Sequence, residues 1–406
     1  MISNVIRIIS GLIIARLILP EILGLFNGFG IIIGYLPILQ LGIMNGLNRE
    51  LPFLFGKGEN ERAKQFASVA QFWELLIGFI SFSILFALSI VKLFQGNHLH
   101  FFGYLTYAFV AFHYFYSTNY LQILYRTNRD FNKLSVISLI VSSSSLLLIV
   151  FVWKWGFYGL GTRLLLTYAI ELILLYKFRP LKVKPFFDKS IFKELLKVGI
   201  PIFIVGYIFS LWGVLQNTIV FKFGGAQQFG YFSLAIMVEG SLAILIGAVN
   251  QVVYPKLSFE YGKGTLYNKL IKIILKPVAI VFLILVPSVI IMWYALPYFV
   301  TWLLPQYVEG IYAAQWTLIT LLVSIFGAFN LIFNVVKKQK DYLITIIVGI
   351  LSFVFVLYIL YINKGFDLVI FPQAMLIGKL VQIISAFFFI RRYRNIINME
   401  TVHDAS

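Results

Sequence analysis

The sequence has no cysteine and very little charge. Because none of the 406 residues carries a thiol, disulfide bridges, thiolate metal sites and cysteine nucleophiles are excluded. Only 12% of the residues are charged, whereas 60% are hydrophobic and the mean hydropathy is +0.91. A water-soluble chain of this length would need far more polar surface. We therefore interpret the sequence as that of an integral membrane protein.

Signatures of enzymes and of cofactor sites are also lacking. The chain has no GxxxxGK[ST] phosphate loop, so ATP hydrolysis is not expected. Its four histidines occur without the HExxH spacing of a zinc site. We therefore predict a protein that is not an enzyme and that binds neither a metal nor another cofactor.

Acidic residues are scarce, which gives the chain a strongly basic balance. There are 16 acidic residues against 33 lysines and arginines, a formal net charge of +17. Such a charge can indicate a nucleic-acid-binding protein. Here the basic residues lie in short segments between apolar runs, so we interpret the charge as a topology signal and expect no nucleic-acid partner.

Apolar runs account for most of the chain. Since a hydrocarbon core of about 30 Å needs about 20 residues per helix, the pattern predicts twelve transmembrane spans. Their predicted limits are 2–18, 23–46, 69–92, 101–124, 132–153, 156–177, 195–220, 228–254, 272–295, 311–334, 342–362 and 367–390.

The connections between the spans predict the orientation of the chain. Twenty-five of the 33 basic residues lie in the even-numbered connections or after the last span. The opposite side has five, namely Arg16, Lys92, Lys154, Lys222 and Lys364. By the positive-inside rule, both termini and the even-numbered connections are expected in the cytoplasm.

A faint internal repeat predicts two similar halves. The stretch Ala15–Gly58 returns as Phe221–Gly264 at a constant offset of 206 residues. The matches include Gly24 with Gly230, Gly34 with Gly240, and Gly56-Lys57-Gly58 with Gly262-Lys263-Gly264. With a long basic connection after span six, this predicts an all-α fold of two parallel six-helix bundles, 1–185 and 186–406, around a central cavity.

The repeat includes a stripe of small and polar residues. Helical spacing places Asn27, Gly34, Leu41 and Asn45 on one predicted face of span two. The equivalent positions in span eight are Ser233, Gly240, Gly247 and Gln251. Two interpretations stay open, since such a stripe suits close packing between helices and also suits the wall of a cavity.

Three predicted spans contain further acidic or amide side chains, some of which are candidate site residues. Glu239 lies near the middle of span eight, where a carboxylate costs at least about 2.5–3.5 kcal/mol and must face a cavity or a partner. Asn250 falls within about 20° of it around the helix. Glu239 is expected either to couple transport to a cation or to make a structural hydrogen bond while protonated. Gln216 and Asn217 are polar positions of span seven, and Glu74 is expected in solvent at the cytoplasmic edge of span three.

Three cations, Arg7, Arg163 and Lys379, lie within predicted spans. Arg7 is about 13 Å inward from the outer end of span one, given a rise of 1.5 Å per residue. It is expected either to snorkel to the cytoplasmic interface or to place a fixed positive charge in a central cavity. The same expectations apply to Arg163 and Lys379. A further alternative for each of them is an ion pair with an acid such as Glu171.

Several segments resemble a known family of membrane transporters. ARLILPEILGLFNGF, LQLGIMNGLNRELP and LLKVGIPIFIVGYIFSLWGVLQNTIVFKFGGAQQFGYFSLA resemble the oligosaccharide flippases of the polysaccharide-export family. That family belongs to the multidrug/oligosaccharidyl-lipid/polysaccharide exporter (MOP) superfamily. VVYPKLSFEYGKG and PQYVEGIYAAQWTLITLL extend the resemblance over nearly the whole chain. These loose motifs are specific for the superfamily and branch and weak for the substrate.

The resemblance implies a function. Such flippases export undecaprenyl-pyrophosphate-linked oligosaccharides from the inner to the outer leaflet of the bacterial cytoplasmic membrane, for O-antigen in lipopolysaccharide, capsule or exopolysaccharide. Ion-gradient coupling by antiport is expected, with the lipid-linked oligosaccharide, membrane lipids and glycan polymerase machinery as partners. The candidate cavity residues are Arg7, Asn27, Asn45, Arg163, Gln216, Asn217, Glu239, Asn250, Gln251 and Lys379, with Glu239 as the candidate for ion coupling.

Two departures from the family pattern accompany this interpretation. Relatives have a longer segment before ARLIL, so a truncated or misassigned start is expected. They also often carry Asp where this chain has Asn217, which leaves any coupling role with Glu239 or with no residue. Two alternatives are a multidrug exporter coupled to H⁺ or Na⁺ and, less favoured, a polysaccharide polymerase or ligase. Polymerases and ligases typically have a large outer loop, which this pattern lacks.

Overall fold

The computed structural model describes residues 2–263 and 265–403, with side chains up to residue 394 except at 264. Met1, Gly264, residues 404–406 and the side chain of His403 lie outside the described residues. The last position of the second repeat copy and the extreme ends of the two predicted bundles are therefore not covered.

The described residues form helices joined by short connections, and none of them lies in a β-strand. The α-helices are α1 (Ile2–Leu17), α2 (Pro20–Tyr35), α3 (Ile43–Gly56), α4 (Asn60–Phe94), α5 (His98–His113), α6 (Gln122–Thr127), α7 (Phe131–Leu147), α8 (Ile149–Lys177), α9 (Lys189–Gly262), α10 (Tyr267–Leu303), α11 (Ile311–Ser324), α12 (Leu331–Val335), α13 (Gln339–Lys364) and α14 (Ile370–His403). Segments Leu36–Gln40, Pro305–Gly310 and Ile325–Asn330 are 3₁₀-helical, and Tyr114–Leu121 is π-helical.

The predicted spans correspond to these helices. Within the described part of the chain, eight helical segments are long and apolar enough to cross a membrane. The other three spans are formed by shorter helices. Span one is α1, span four is α5 with the π-helical segment and α6, and span five is α7. Helix α9 contains spans seven and eight, which meet near Gly225, where φ is 71°. The prediction of an all-α, multi-pass membrane protein is confirmed.

The chain divides into two compact units, with the boundary between Thr218 and Ile219. The core of the first unit contains the buried aromatic residues Phe66, Tyr120 and Tyr125, and that of the second contains Phe329 and Phe333. The first part of α9 belongs to the first unit. The boundary predicted from the repeat, between 185 and 186, stays a prediction about the two six-helix bundles.

Span two is not one continuous helix. Helix α2 ends at Tyr35, a 3₁₀ segment follows, and Leu41 and Gly42 have φ angles of 51° and 85° before α3 begins. Pro37 has no N–H with which to continue the helical ladder through this segment. The prediction of a single helical face is therefore wrong here, because the left-handed residues reset the helical phase between Gly34 and Asn45.

The broken segment packs closely on the first part of α9. A Cβ atom on Gly199 would clash with the carbonyl oxygen of Gly42, and one on Gly46 would clash with the carbonyl oxygen of Leu195. Gly42 also needs its left-handed backbone, so no other residue suits this contact well. These contacts favour the packing interpretation for the first copy of the stripe. At Gly240 in the second copy, a Cβ atom would have no atom of the described residues within 4 Å outside its own helical turn.

Candidate functional site

The second unit brings together two of the predicted site residues. Glu239 lies on the part of α9 that follows Gly225 and is exposed, and Lys379 lies half-buried on α14. The two side chains are close enough to interact electrostatically. Opposite charges within membrane spans compensate each other in this way. Of the alternatives for Lys379, the one with a nearby acid is therefore favoured, and the acid within electrostatic reach is Glu239.

Asn250 and Gln251 lie further along the same helix. Because α9 is uninterrupted from 226 to 262, Asn250 is on the same side of the helix as Glu239 but about 16 Å away along its axis. Asn250 is half-buried, and its Oδ1 atom has no hydrogen-bond partner among the described residues. Gln251 is exposed. The structure thus separates these two amides from the Glu239–Lys379 pair.

Arg163 and Arg7 take different positions in the first unit. The guanidinium of Arg163, on α8, donates to the Ser145 carbonyl oxygen at 2.8 Å and also to the Ser145 hydroxyl. Its predicted alternative, pairing with Glu171, is not what the structure shows. Arg7 on α1 is exposed and donates a long bond of 3.5 Å to the hydroxyl of Ser138. It also lies within electrostatic reach of Glu171.

Glu171 is part of a polar cluster that the sequence analysis did not identify. Its Oε2 atom lies 3.4 Å from Nε2 of His113 on α5, and its Oε1 atom accepts a hydrogen bond of 3.3 Å from Gln122. The His113 ring stacks on Tyr168, with ring centroids 4.1 Å apart and planes 3° from parallel. This cluster joins α5, α6 and α8 and places two titratable side chains in the interior of the first unit.

The prediction that Glu74 lies in solvent is wrong. Its side chain is fully buried, and its Oε2 atom accepts a hydrogen bond of 3.3 Å from Gln40. Gln40 ends the 3₁₀ segment of span two, and the neighbouring Trp73 donates to the Leu39 carbonyl oxygen at 3.2 Å. Glu74 therefore holds the break in span two against α4.

A helical period in the sequence was the signal that could have revealed this site. Gln71, Glu74 and Ser81 follow one another at intervals of three and seven residues, and all three are buried. That spacing places them on one face of α4. Gln71 donates to the hydroxyl of Tyr116 at 3.0 Å, so this polar face packs against the π-helical segment. The position of Glu74 near the end of a span suggested solvent exposure, but that position does not determine whether the side chain is buried.

The remaining predicted residues lie in the first unit. Gln216 is buried on α9, and its Oε1 atom has no hydrogen-bond partner among the described residues. Asn217 is half-buried beside it. Asn27 on α2 and Asn45 on α3 are also half-buried, on opposite sides of the break in span two. No set of three His, Asp or Glu side chains in the described residues is placed to hold a metal ion.

Comparison with known proteins identifies the family. Residues 13–317 match the model of a family described as polysaccharide biosynthesis protein. The chain belongs to this polysaccharide biosynthesis family. A comparison with curated protein sequences found no match.

Solved structures similar to this polysaccharide biosynthesis protein are transporters of the MOP superfamily. An inward-facing multidrug resistance MATE family transporter has a TM-score of 0.79 and 19% identity, covering 98% of this chain and 96% of that one. An outward-facing MATE family structure has a TM-score of 0.70 and 19% identity, with 98% and 94% covered. A MOP superfamily transporter from Pyrococcus furiosus Vc1 has a TM-score of 0.68 and 19% identity, with 98% and 94% covered.

The comparisons establish a family and a fold for this chain. The fold is that of twelve transmembrane helices in two bundles, as predicted. This member of the polysaccharide biosynthesis family is a multi-pass membrane protein with the fold of the MOP superfamily transporters.

Proposed function

We propose that this transporter moves undecaprenyl-pyrophosphate-linked oligosaccharides from the inner to the outer leaflet of the bacterial cytoplasmic membrane. The observation that supports this is the match to a polysaccharide biosynthesis family over residues 13–317 of a transporter fold. The units would serve the assembly of O-antigen, capsule or exopolysaccharide. Membrane lipids and glycan polymerase machinery are the proposed partners, and both termini are proposed to be cytoplasmic.

The charges within the spans suit an anionic substrate. A pyrophosphate group needs cations, and Arg7, Arg163 and Lys379 are the basic residues that lie at least five residues inside a predicted span. Arg7 is exposed, whereas Arg163 is hydrogen-bonded to Ser145 and Lys379 lies within electrostatic reach of Glu239. We therefore assign contact with the phosphates during transport to Arg7. The Pyrococcus furiosus transporter is described as having a pocket of reverse polarity that suggests a different function, so pocket charge varies on this fold.

Coupling to an ion gradient is proposed for Glu239. A carboxylate beside a lysine within a span can take up a proton or a cation and thereby release or hold its partner. Such an exchange would make the transporter an antiporter.

Deletion of the gene tests the proposed function. Cells that lack the transporter should accumulate lipid-linked oligosaccharide in the inner leaflet and lose surface polysaccharide. Unchanged surface polysaccharide, together with no accumulated intermediate, would contradict the proposal.

A second candidate function is multidrug export coupled to H⁺ or Na⁺. The similarity in fold to multidrug resistance MATE family transporters favours it. Drug-sensitivity profiles of the deletion strain separate the two functions. Increased sensitivity to cationic drugs with normal surface polysaccharide would support the second.

A further inference from the structure

The second unit has a basic cleft where α9 ends and α10 begins. Its volume is about 240 Å³. The lining combines an apolar part, which includes Val253 and Ile273, with the lysines Lys256, Lys269, Lys272 and Lys276. These lysines are exposed. The function proposed above assigns no role to this cleft.

The cleft carries an excess of positive charge. Lys269 is compensated, since its Nζ atom lies 3.1 Å from Oε2 of Glu260. Hydrogen bonds from Lys269 and Thr265 lower the pKa of Glu260, so its carboxylate stays ionised at neutral pH. Among the described residues, no acidic side chain forms a salt bridge with Lys256, Lys272 or Lys276.

The arrangement of these three lysines favours an anion between them. Lys272 and Lys276 are one helical turn apart on α10, and like charges at that spacing repel each other. Lys256 faces the same cleft from α9. An anion that contacts all three removes the repulsion and gains three charge-assisted hydrogen bonds.

The position of the cleft indicates a ligand that is part of a lipid. Lys256 and Lys269 lie between predicted span eight, which ends at 254, and predicted span nine, which begins at 272, while Lys272 and Lys276 lie in the first two turns of span nine. Lysine side chains at such positions reach the level of the lipid headgroups. The predicted orientation puts this end in the cytoplasm. Basic pockets between transmembrane helices on that side bind phosphate-bearing headgroups. The apolar lining suits the chain next to such a headgroup.

We propose that this cleft binds the pyrophosphate group of the lipid-linked substrate at the inner leaflet, before transport. A pyrophosphate diester carries two negative charges and a phosphodiester lipid carries one, so three uncompensated ammonium groups match the pyrophosphate better. This proposal rests on the proposed function, because it takes the same substrate.

The test measures binding of undecaprenyl pyrophosphate to the full-length protein in nanodiscs of neutral phosphatidylcholine. The variant K256Q/K272Q/K276Q should bind at least about tenfold more weakly than the wild type, since each lysine near a lipid headgroup contributes to the attraction. The matched control K337Q/K338Q/K340Q loses the same charge on the same predicted side and should bind within about twofold of the wild type. Equal weakening in both variants, or none in the first, would overturn the proposal.

Further arms of the experiment identify the source of the phosphate. Phosphatidylglycerol and inorganic pyrophosphate, at the same concentration, should not displace undecaprenyl pyrophosphate from the wild type. Displacement by either would overturn the assignment to the substrate. Rising salt should weaken binding to the wild type more than to the lysine variant, because fewer exposed charges remain to be screened. Equal thermal unfolding midpoints would exclude misfolding of the variant.

The two proposals fail in different ways. If the wild type binds undecaprenyl pyrophosphate and the three lysines make no difference, the cleft is not the site, while the proposed function stands. If the wild type does not bind this lipid and gene deletion leaves surface polysaccharide unchanged, both proposals are wrong.

Discussion

Glu74 is fully buried in the first unit, and its contacts describe an unusual environment for a carboxyl group. One oxygen accepts the hydrogen bond from Gln40, and the other has no hydrogen-bond partner among the described residues. The phenol of Tyr114, in the π-helical segment, lies within electrostatic reach. Because burial without a cationic partner disfavours a charged group, a neutral side chain of the same shape should be tolerated here.

Substitutions at Glu74 test this role. Glu74→Gln should change the free energy of unfolding by less than about 1 kcal/mol, because a neutral amide of the same size can still bond to Gln40. Glu74→Ala should lower it by about 2 kcal/mol, because the hydrogen bond is lost and a cavity remains. Denaturant unfolding in detergent measures both. The control is Glu61→Ala, whose side chain is 83% exposed. If Glu74→Ala were as stable as this control, the structural role would be wrong.

Glu239 and Lys379 allow a test that separates coupling from structure. Glu239→Gln should impair transport with normal membrane insertion, by about 5- to 150-fold if the carboxylate couples ion and substrate binding. The double variant E239Q/K379Q should not recover transport, because the ion-binding group is still missing. Polysaccharide output in a deletion strain measures both variants, with the exposed Glu21→Gln as the control.

The opposite outcomes at this pair are equally informative. Recovery of transport in the double variant would mean that the single variant failed only because Lys379 was left without its compensating charge. Wild-type output from Glu239→Gln would contradict the coupling role of Glu239.

At the scale of elements, the two copies of the repeat differ in structure. The second copy is a continuous helix after Gly225, whereas the first is α2, a 3₁₀ segment and α3. Residues far from the break in sequence hold it in place. Glu74 on α4 bonds to Gln40, and the Tyr207 hydroxyl on α9 donates to the Tyr35 carbonyl oxygen at 3.1 Å. The carbonyl groups of Tyr35 and Leu39 thus find partners on α9 and α4, as a membrane interior requires.

The packing of this broken segment on α9 can be tested at one glycine. Gly199→Ala should lower the free energy of unfolding by about 1–3 kcal/mol, because its methyl group has to displace the backbone at Gly42. Gly206→Ala on the same helix is the control, since no atom of the described residues outside its own helical turn lies within 4 Å of the added Cβ. It should be neutral or slightly stabilising, as alanine favours helix. Equal stability of the two variants would contradict the close packing.

At the scale of the whole molecule, the proposed orientation can be measured because the chain has no cysteine. Single cysteines at Lys338 and Lys364 lie on opposite predicted sides of the membrane. In intact cells, a membrane-impermeant maleimide should label Lys364→Cys and leave Lys338→Cys unlabelled. Both should react after the membrane is permeabilised, which controls for burial of the thiol. Labelling of Lys338→Cys in intact cells would reverse the proposed orientation.

The sequence alone determined the class of protein, the fold and the family. Hydrophobic runs of membrane-spanning length and the scarcity of charge are properties of each segment by itself, since every span must be apolar whatever its neighbours are. For the same reason the two helices joined within α9 were predicted as separate spans on either side of Gly225. The sequence also showed the stripe of small and polar residues in span two, but it did not show that the helix carrying this stripe is broken.

Only the tertiary structure decided which polar residues meet. Whether Glu74 is solvated or buried depends on the helices packed around it, and the proximity of Glu239 to Lys379 joins residues 140 positions apart. The break in span two depends on contacts with α4 and with α9. Helical spacing fixes the direction of a side chain around its own axis, but the partner that it faces is set by packing between helices distant in sequence.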